Sequence, residues 1–147
     1  MAVPCKKPHD RITFGFGIKY TVKAGRHKGV DFACPVGTPV YATVNGTVLH
    51  AGSNGVGPFR GWGKAFGISV IVDQDKFANG DAGLYGGYMH LSKVAVKRGQ
   101  RVSKGQLLGY SGNTGFSTGP HLHYEIQTGR FWKGWVGCRN PKRWLEV

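Results

Sequence analysis

Acidic residues are scarce in this chain. Seven Asp and Glu stand against 20 Lys and Arg, a formal net charge of +13. Such a surface disfavours cationic partners and attracts polyanions. Nucleic acid, anionic lipid and anionic cell-wall polymers all satisfy that condition, and charge alone does not choose among them. No apolar run reaches membrane-spanning length. The N-terminal stretch MAVPCKKPHD lacks the apolar core of an export signal, so a soluble chain without a signal peptide or transmembrane segment is expected. Cysteine is limited to Cys5, Cys34 and Cys138, with no CxxC pair, which disfavours a structural zinc knuckle. The odd count leaves at least one thiol unpaired. Cys5 and Cys138, near opposite termini, are the candidates for a bridge. The chain has no HExxH helix, no GxSxG elbow and no phosphate loop, which argues against a glutamate-base metalloprotease, a serine hydrolase and a nucleotide-binding enzyme. It has no internal repeat and no low-complexity linker, so residues 1–147 are expected to form a single domain.

What the chain has in quantity is glycine, at 25 residues, and aromatics, with 8 Phe, 6 Tyr and 4 Trp. Helix-forming runs are few. The composition predicts a mostly β fold of short strands and turns around a packed core. PVYATV and TVLHA, separated by Asn45-Gly46, predict a hairpin with a type I′ turn. Val40, Ala42 and Val44 should share one face, with Val48 opposite. FGISVIVD (66–73) and LYGGYMHL (84–91) read as two paired strands. VAVKRGQRVSKGQLLGYSG (94–112) reads as two short apolar pieces around glycine turns. HLHYEIQT (121–128) reads as a strand with FWKGW (131–135) returning beside it. Two stretches resist this pattern. Residues 51–67 are glycine-rich and carry Phe59 and Trp62, which are candidates to line a substrate groove. Residues 73–83 form a polar connection.

Six histidines are present, and four sit in informative contexts. In an extended segment, residues four apart point the same way, so His27 and Asp31 can approach one ion together. His121 and His123 are two apart on a predicted strand and share a face, with Leu122 and Tyr124 on the other. His90 ends the YMHL strand. Nitrogen and oxygen donors suit zinc, and catalytic zinc sites use three protein ligands with a fourth position left open. His27, Asp31 and one histidine of the 121/123 pair would make such a set. The remaining histidines could then carry protons or stabilise a developing oxyanion. His9 and His50 stand outside these motifs and read as structural or solvent-exposed.

The order of motifs carries more than any one of them. GRHKGVDF (25–32), PVGTPV (35–40) and NGTV (45–48) are followed by YMHLS (88–92), GQRV (99–102) and KGQ (104–106). SGNTGFSTGPHLHYE (111–125) and NPKRWL (140–145) complete the series. This order resembles the lysostaphin/LytM-type zinc endopeptidases over roughly residues 11–147. The resemblance implies a mostly antiparallel β-sheet with a loop-bounded groove. It implies one zinc ion per chain held by His27, Asp31 and His123, with His90 and His121 as catalytic histidines. Tyr20 is the nearest candidate for the tyrosine that some members use to stabilise the transition state. The implied substrate is a peptide bond in the stem peptide or cross-bridge of bacterial peptidoglycan, cut by a lytic enzyme acting as a monomer. The implied setting is a bacteriophage lysin, a virion-associated enzyme or a mature exported enzyme. The insert at 59–67 is longer than the family pattern leads one to expect, so bond specificity does not carry over.

Two other readings compete. A non-catalytic basic module binding polyanions or walls explains the charge, but the basic residues are scattered rather than massed, and no specific nucleic-acid contact is implied. A lipoyl- or biotinyl-like carrier explains only VKRGQRVSKGQLLG and leaves every histidine motif unused.

Overall fold

The computed structural model describes residues 3–21, 25–53, 66–77, 79–128 and 137–146. Among the described residues nine strands make one antiparallel sheet: β1 (Val30–Ala33), β2 (Pro39–Tyr41), β3 (Gly46–Gly52), β4 (Ile68–Gln74), β5 (Leu84–Val94), β6 (Arg101–Val102), β7 (Leu107–Ser111), β8 (His121–Thr128) and β9 (Cys138–Arg139). The main path runs β1-β8-β5-β4-β3-β6. β7 joins β2 to β5, and β9 lies along β8. A 3-10 turn, Pro141–Arg143, is capped by Asn140. Among the described residues no helix is long and apolar enough to cross a membrane.

The β-branched run of β4 pairs with β5 as its sequence leads one to expect, Ile71 opposite Gly87 and Val72 opposite Gly86. Phe32, Val40, Val70, Leu91, Leu108, Leu122 and Ile126 fill the core at no more than about 1% exposure. Tyr88 and Tyr124 are also fully buried, and their hydroxyls are satisfied by Thr43, whose Oγ1 lies 3.1 and 2.8 Å away.

The hairpin expected at Asn45-Gly46 does not form. β2 pairs with β7, Val40 opposite Gly109, while β3 pairs with β4 and β6. Gly46 is needed for close approach instead, since a Cβ there would lie 2.4 Å from the Asp73 carbonyl oxygen. Asn45 ties chains together: its Oδ1 accepts from Lys104 N at 2.7 Å, and its carbonyl accepts from Asp75 N at 2.7 Å. Val40, Ala42, Val44 and Val48 are all buried. The strand beside the end of β8 is β9, Ile126 opposite Arg139, whereas FWKGW lies outside the described residues. The polar connection at 73–83 is an anchor. Phe77 packs on Trp144 with ring centroids 5.9 Å apart, and Trp144 Nε1 donates to Asp81 at 2.8 Å.

Cys5 has Cys34, not Cys138, as its neighbour. All three cysteines are buried. The Cys5 thiol donates to the Cys34 sulfur, which lowers Cys34 to about 6 and pushes Cys5 far up. Treatment with diamide is therefore expected to join Cys5 to Cys34. Peptide mapping by mass spectrometry should find that linkage; one containing Cys138 would contradict the placement.

Candidate functional site

The β1–β8 register sets Asp31 directly opposite His123. In an antiparallel pair, opposed residues share a face, so a carboxylate and an imidazole meet without help from any loop. His27 precedes β1 and turns back toward the same point. Its Nε2 lies 3.1 Å from Asp31 Oδ1 and 3.0 Å from His123 Nδ1, and His123 Nδ1 lies 2.8 Å from Asp31 Oδ1. Gly29 permits this packing, because a Cβ there would stand 2.3 Å from the Tyr124 carbonyl oxygen and 3.0 Å from His123 Nε2. His27, Asp31 and His123 are the cluster able to hold a metal ion among the described residues.

Each imidazole around this point has one nitrogen tied to an oxygen that can only accept. His27 Nδ1 donates to Gly15 O at 2.8 Å, and His123 Nε2 donates to Glu125 Oε1 at 2.9 Å. His90 Nδ1 donates to Thr114 O at 2.7 Å, and His121 Nδ1 donates to Gly119 O at 2.7 Å. The acceptors fix the tautomers and turn the other nitrogens outward as bare lone pairs. His27 Nε2 and His123 Nδ1 therefore face each other and a carboxylate with no hydrogen of their own between them. Only a cation or an extra proton reconciles that arrangement. In the metal-free chain a proton takes the place: burial opposes it, but hydrogen bonds to Asp31 and Glu125 hold His123 up to about 9. Burial likewise works against the Asp31 charge, yet the contacts with His123 and His27 hold its carboxyl well below the usual carboxylate range. Two imidazole nitrogens and one carboxylate oxygen, oriented in this way, fit zinc.

His90 sits at an irregularity in β5. Its φ is +62°, in the left-handed region, where the pairing of β4 with β5 shifts register between Ile68 and Val70. Close neighbours hold the kink. A Cβ on Gly112 would lie 2.9 Å from His90 O, and Thr114 Oγ1 donates to Leu91 O at 2.6 Å. The kink brings the His90 ring within 4.8 Å of the His121 ring and 5.9 Å of the His123 ring. Burial, with the neighbouring His123 and His121, pushes His90 down to about 4, so it is neutral at physiological pH. His121 Nε2 stands 3.7 Å from Asp31 Oδ1, outside the tighter triangle.

These residues line a groove of about 1060 Å³. Tyr20 lines it too, its ring 6.0 Å from that of His27. Burial, with the nearby Asp31 and Glu125 charges, pushes the Tyr20 hydroxyl up to about 12, so it stays a donor. Phe59 and Trp62 lie outside the described residues. Glu125 and Gln127 had no assigned role in the sequence. The alternation that pairs His121 with His123 runs on through both, and Gln127 Nε2 donates to Glu125 Oε2 at 2.7 Å, so one strand face carries the histidines and their support.

Residues 25–133 match the model of peptidase family M23. The chain belongs to that family. M23 peptidases are zinc metalloenzymes. This member is 43% identical over 106 residues to the peptidoglycan DD-endopeptidase ShyA of Vibrio cholerae, covering 72% of this chain and 21% of that one. It is 40% identical over 119 residues to the glycyl-glycine endopeptidase ALE-1 of Staphylococcus capitis, covering 80% and 29%. The M23 chain thus spans less than a third of the length of these curated relatives. Its fold is similar to the catalytic domain of lysostaphin from Staphylococcus simulans. The TM-score is 0.74 at 32% identity, covering 93% of this chain and 92% of that one.

Proposed function

We propose that this M23 protein is a zinc-dependent endopeptidase that hydrolyses peptide bonds in bacterial peptidoglycan. The observation that carries the reading is the triangle of bare donors, His27 Nε2, Asp31 Oδ1 and His123 Nδ1, at the floor of an open groove. The family membership and the coverage of a whole catalytic domain support it, as they support one peptidase domain over residues 1–147.

In this reading His27, Asp31 and His123 hold one zinc ion per chain. Zinc supplies Lewis acidity there, polarising a carbonyl and lowering the pKa of water toward about 7. His90 and His121 keep Nε2 free for the reaction because Nδ1 of each is committed to a backbone carbonyl. Hydrolysis adds the hydroxyl of water to the carbonyl carbon, breaks the C–N bond and leaves a proton for the departing amine. A bare Nε2 can take that proton and, once protonated, stabilise the oxyanion or pass the proton on. The Tyr20 hydroxyl is a further donor for the same charge.

Purified walls with different cross-bridges test this, with new termini identified by mass spectrometry. One peptide bond should be cut in a susceptible wall, and 1,10-phenanthroline should abolish the cut. Walls left intact by zinc-loaded protein would overturn the reading. In the same tubes, the fraction pelleting with walls should fall as salt rises, because the attraction expected from a +13 chain is screened within about 10 Å at 0.1 M.

A further inference from the structure

Outside the histidine cluster, the groove is cationic. Lys19, Arg26 and Lys28 line it, and all three are exposed. Of the seven acids in the chain, Asp31 and Glu125 line the groove, and both are engaged by histidines. Among the described residues, the ion pairs made by other cations, such as Arg101 with Asp75 and Arg143 with Asp81, do not involve these three.

The backbone makes the arrangement more pointed than a generally basic surface would. Lys19 and Arg26 form an antiparallel bridge, flanked by His27 N donating to Ile18 O at 2.9 Å and Tyr20 N donating to Gly25 O at 3.1 Å. That pattern is the non-hydrogen-bonded kind, in which opposed side chains approach most closely. Like charges placed there are destabilising. Arg26 is also braced, its Nη1 donating to Gly17 O at 3.0 Å. Lys28 follows two residues later. A register that sets two cationic residues opposite each other, with Lys28 lining the same groove, is suited to an anion arriving there.

We propose that Lys19, Arg26 and Lys28 form a carboxylate-binding subsite that favours peptides bearing a free acid next to the scissile bond over neutral ones. The proposal rests on the peptidase reading above. A carboxylate presents two oxygens to the Arg26 fork and the Lys ammonium groups, and an amide or a run of glycines offers no charge to match. Exposed ion pairs are individually modest, so the discrimination is one of degree.

The test uses zinc-loaded full chain and two synthetic cross-linked stem peptides, identical except that one side-chain carboxylate is free in one and amidated in the other. The wild type should cut the free acid with a kcat/KM roughly three- to tenfold higher. Lys19→Gln/Lys28→Gln should lose that preference, the ratio of kcat/KM for the free acid to that for the amidated peptide falling to about one. Lys97→Gln/Arg98→Gln removes the same charge from an exposed turn and should keep the preference; thermal melts of both pairs establish that they fold. Equal cutting of the two peptides by wild type would overturn the subsite, as would a preference that survives in Lys19→Gln/Lys28→Gln or disappears equally in Lys97→Gln/Arg98→Gln. If wild type cuts neither peptide, the peptidase reading itself fails, and the subsite with it.

Discussion

Replacing His123 with alanine is expected to strip the protein of zinc and reduce hydrolysis to background. His123 supplies one corner of the donor triangle, and the other two corners, His27 Nε2 and Asp31 Oδ1, are only 3.1 Å apart. Without the third donor only a histidine–aspartate pair remains. Two protein ligands make a poorly closed site where three are the norm. Metal analysis after dialysis should show zinc near one per chain in wild type and near zero in His123→Ala. A variant that retains stoichiometric zinc would remove His123 from the ligand set. The proton that holds the place of the metal adds a second readout. His123 carries it below about 9 in the metal-free chain, so zinc must displace it at neutral pH. Affinity should therefore fall as pH is lowered. Calorimetric titrations in buffers of different ionisation enthalpy should detect proton release, and it should vanish in His123→Ala.

His121→Ala and His90→Ala are expected to keep most of the zinc and lose activity by about 100- to 10,000-fold. The two rings lie tilted beside the donor triangle with centroids 4.8 Å apart, but their fixed nitrogens belong to Thr114 O and Gly119 O. Removing either leaves the triangle intact. His90 needs one precaution. Alanine at a φ of +62° carries strain of order 1–2 kcal/mol, so a loss of activity could reflect a disturbed kink. His90→Asn avoids this, because asparagine tolerates the left-handed region. It should match His90→Ala in lost turnover while melting close to wild type. Near-normal turnover in His90→Asn, or zinc loss in His121→Ala as complete as in His123→Ala, would overturn the assignment of roles.

The histidines were legible in the sequence because strands have period two. His121 and His123 could be placed on one face, and Asp31 could be placed with His27, from spacing alone. The choice of His123 over His121 as the third ligand was not legible that way. It depends on β1 meeting β8 with Asp31 opposite His123, a register between residues far apart in the chain. Asn45-Gly46 misled for the same reason. The pair is a local turn signal, but Gly46 answers to Asp73 across a strand pairing, and β2 has its partner in β7. The left-handed turn at His90 had no local mark. It is imposed by Thr114 and by the closeness of Gly112, which are near only after the sheet forms.

Asp31 and His123 are held by a strand pairing, whereas the groove above them is walled largely by connecting segments, residues within 14–21 and 25–28 before β1 and 116–120 before β8. Under the proposed function, the residues that would break the bond and the surfaces that would choose it are thus supplied by separable parts of the chain. Walls of different chemistry would then be met by rewriting the connecting segments while the sheet goes unedited. For an engineer this makes the rims, not the floor, the place to retarget the protein, and swaps between relatives should be cut at the strand ends.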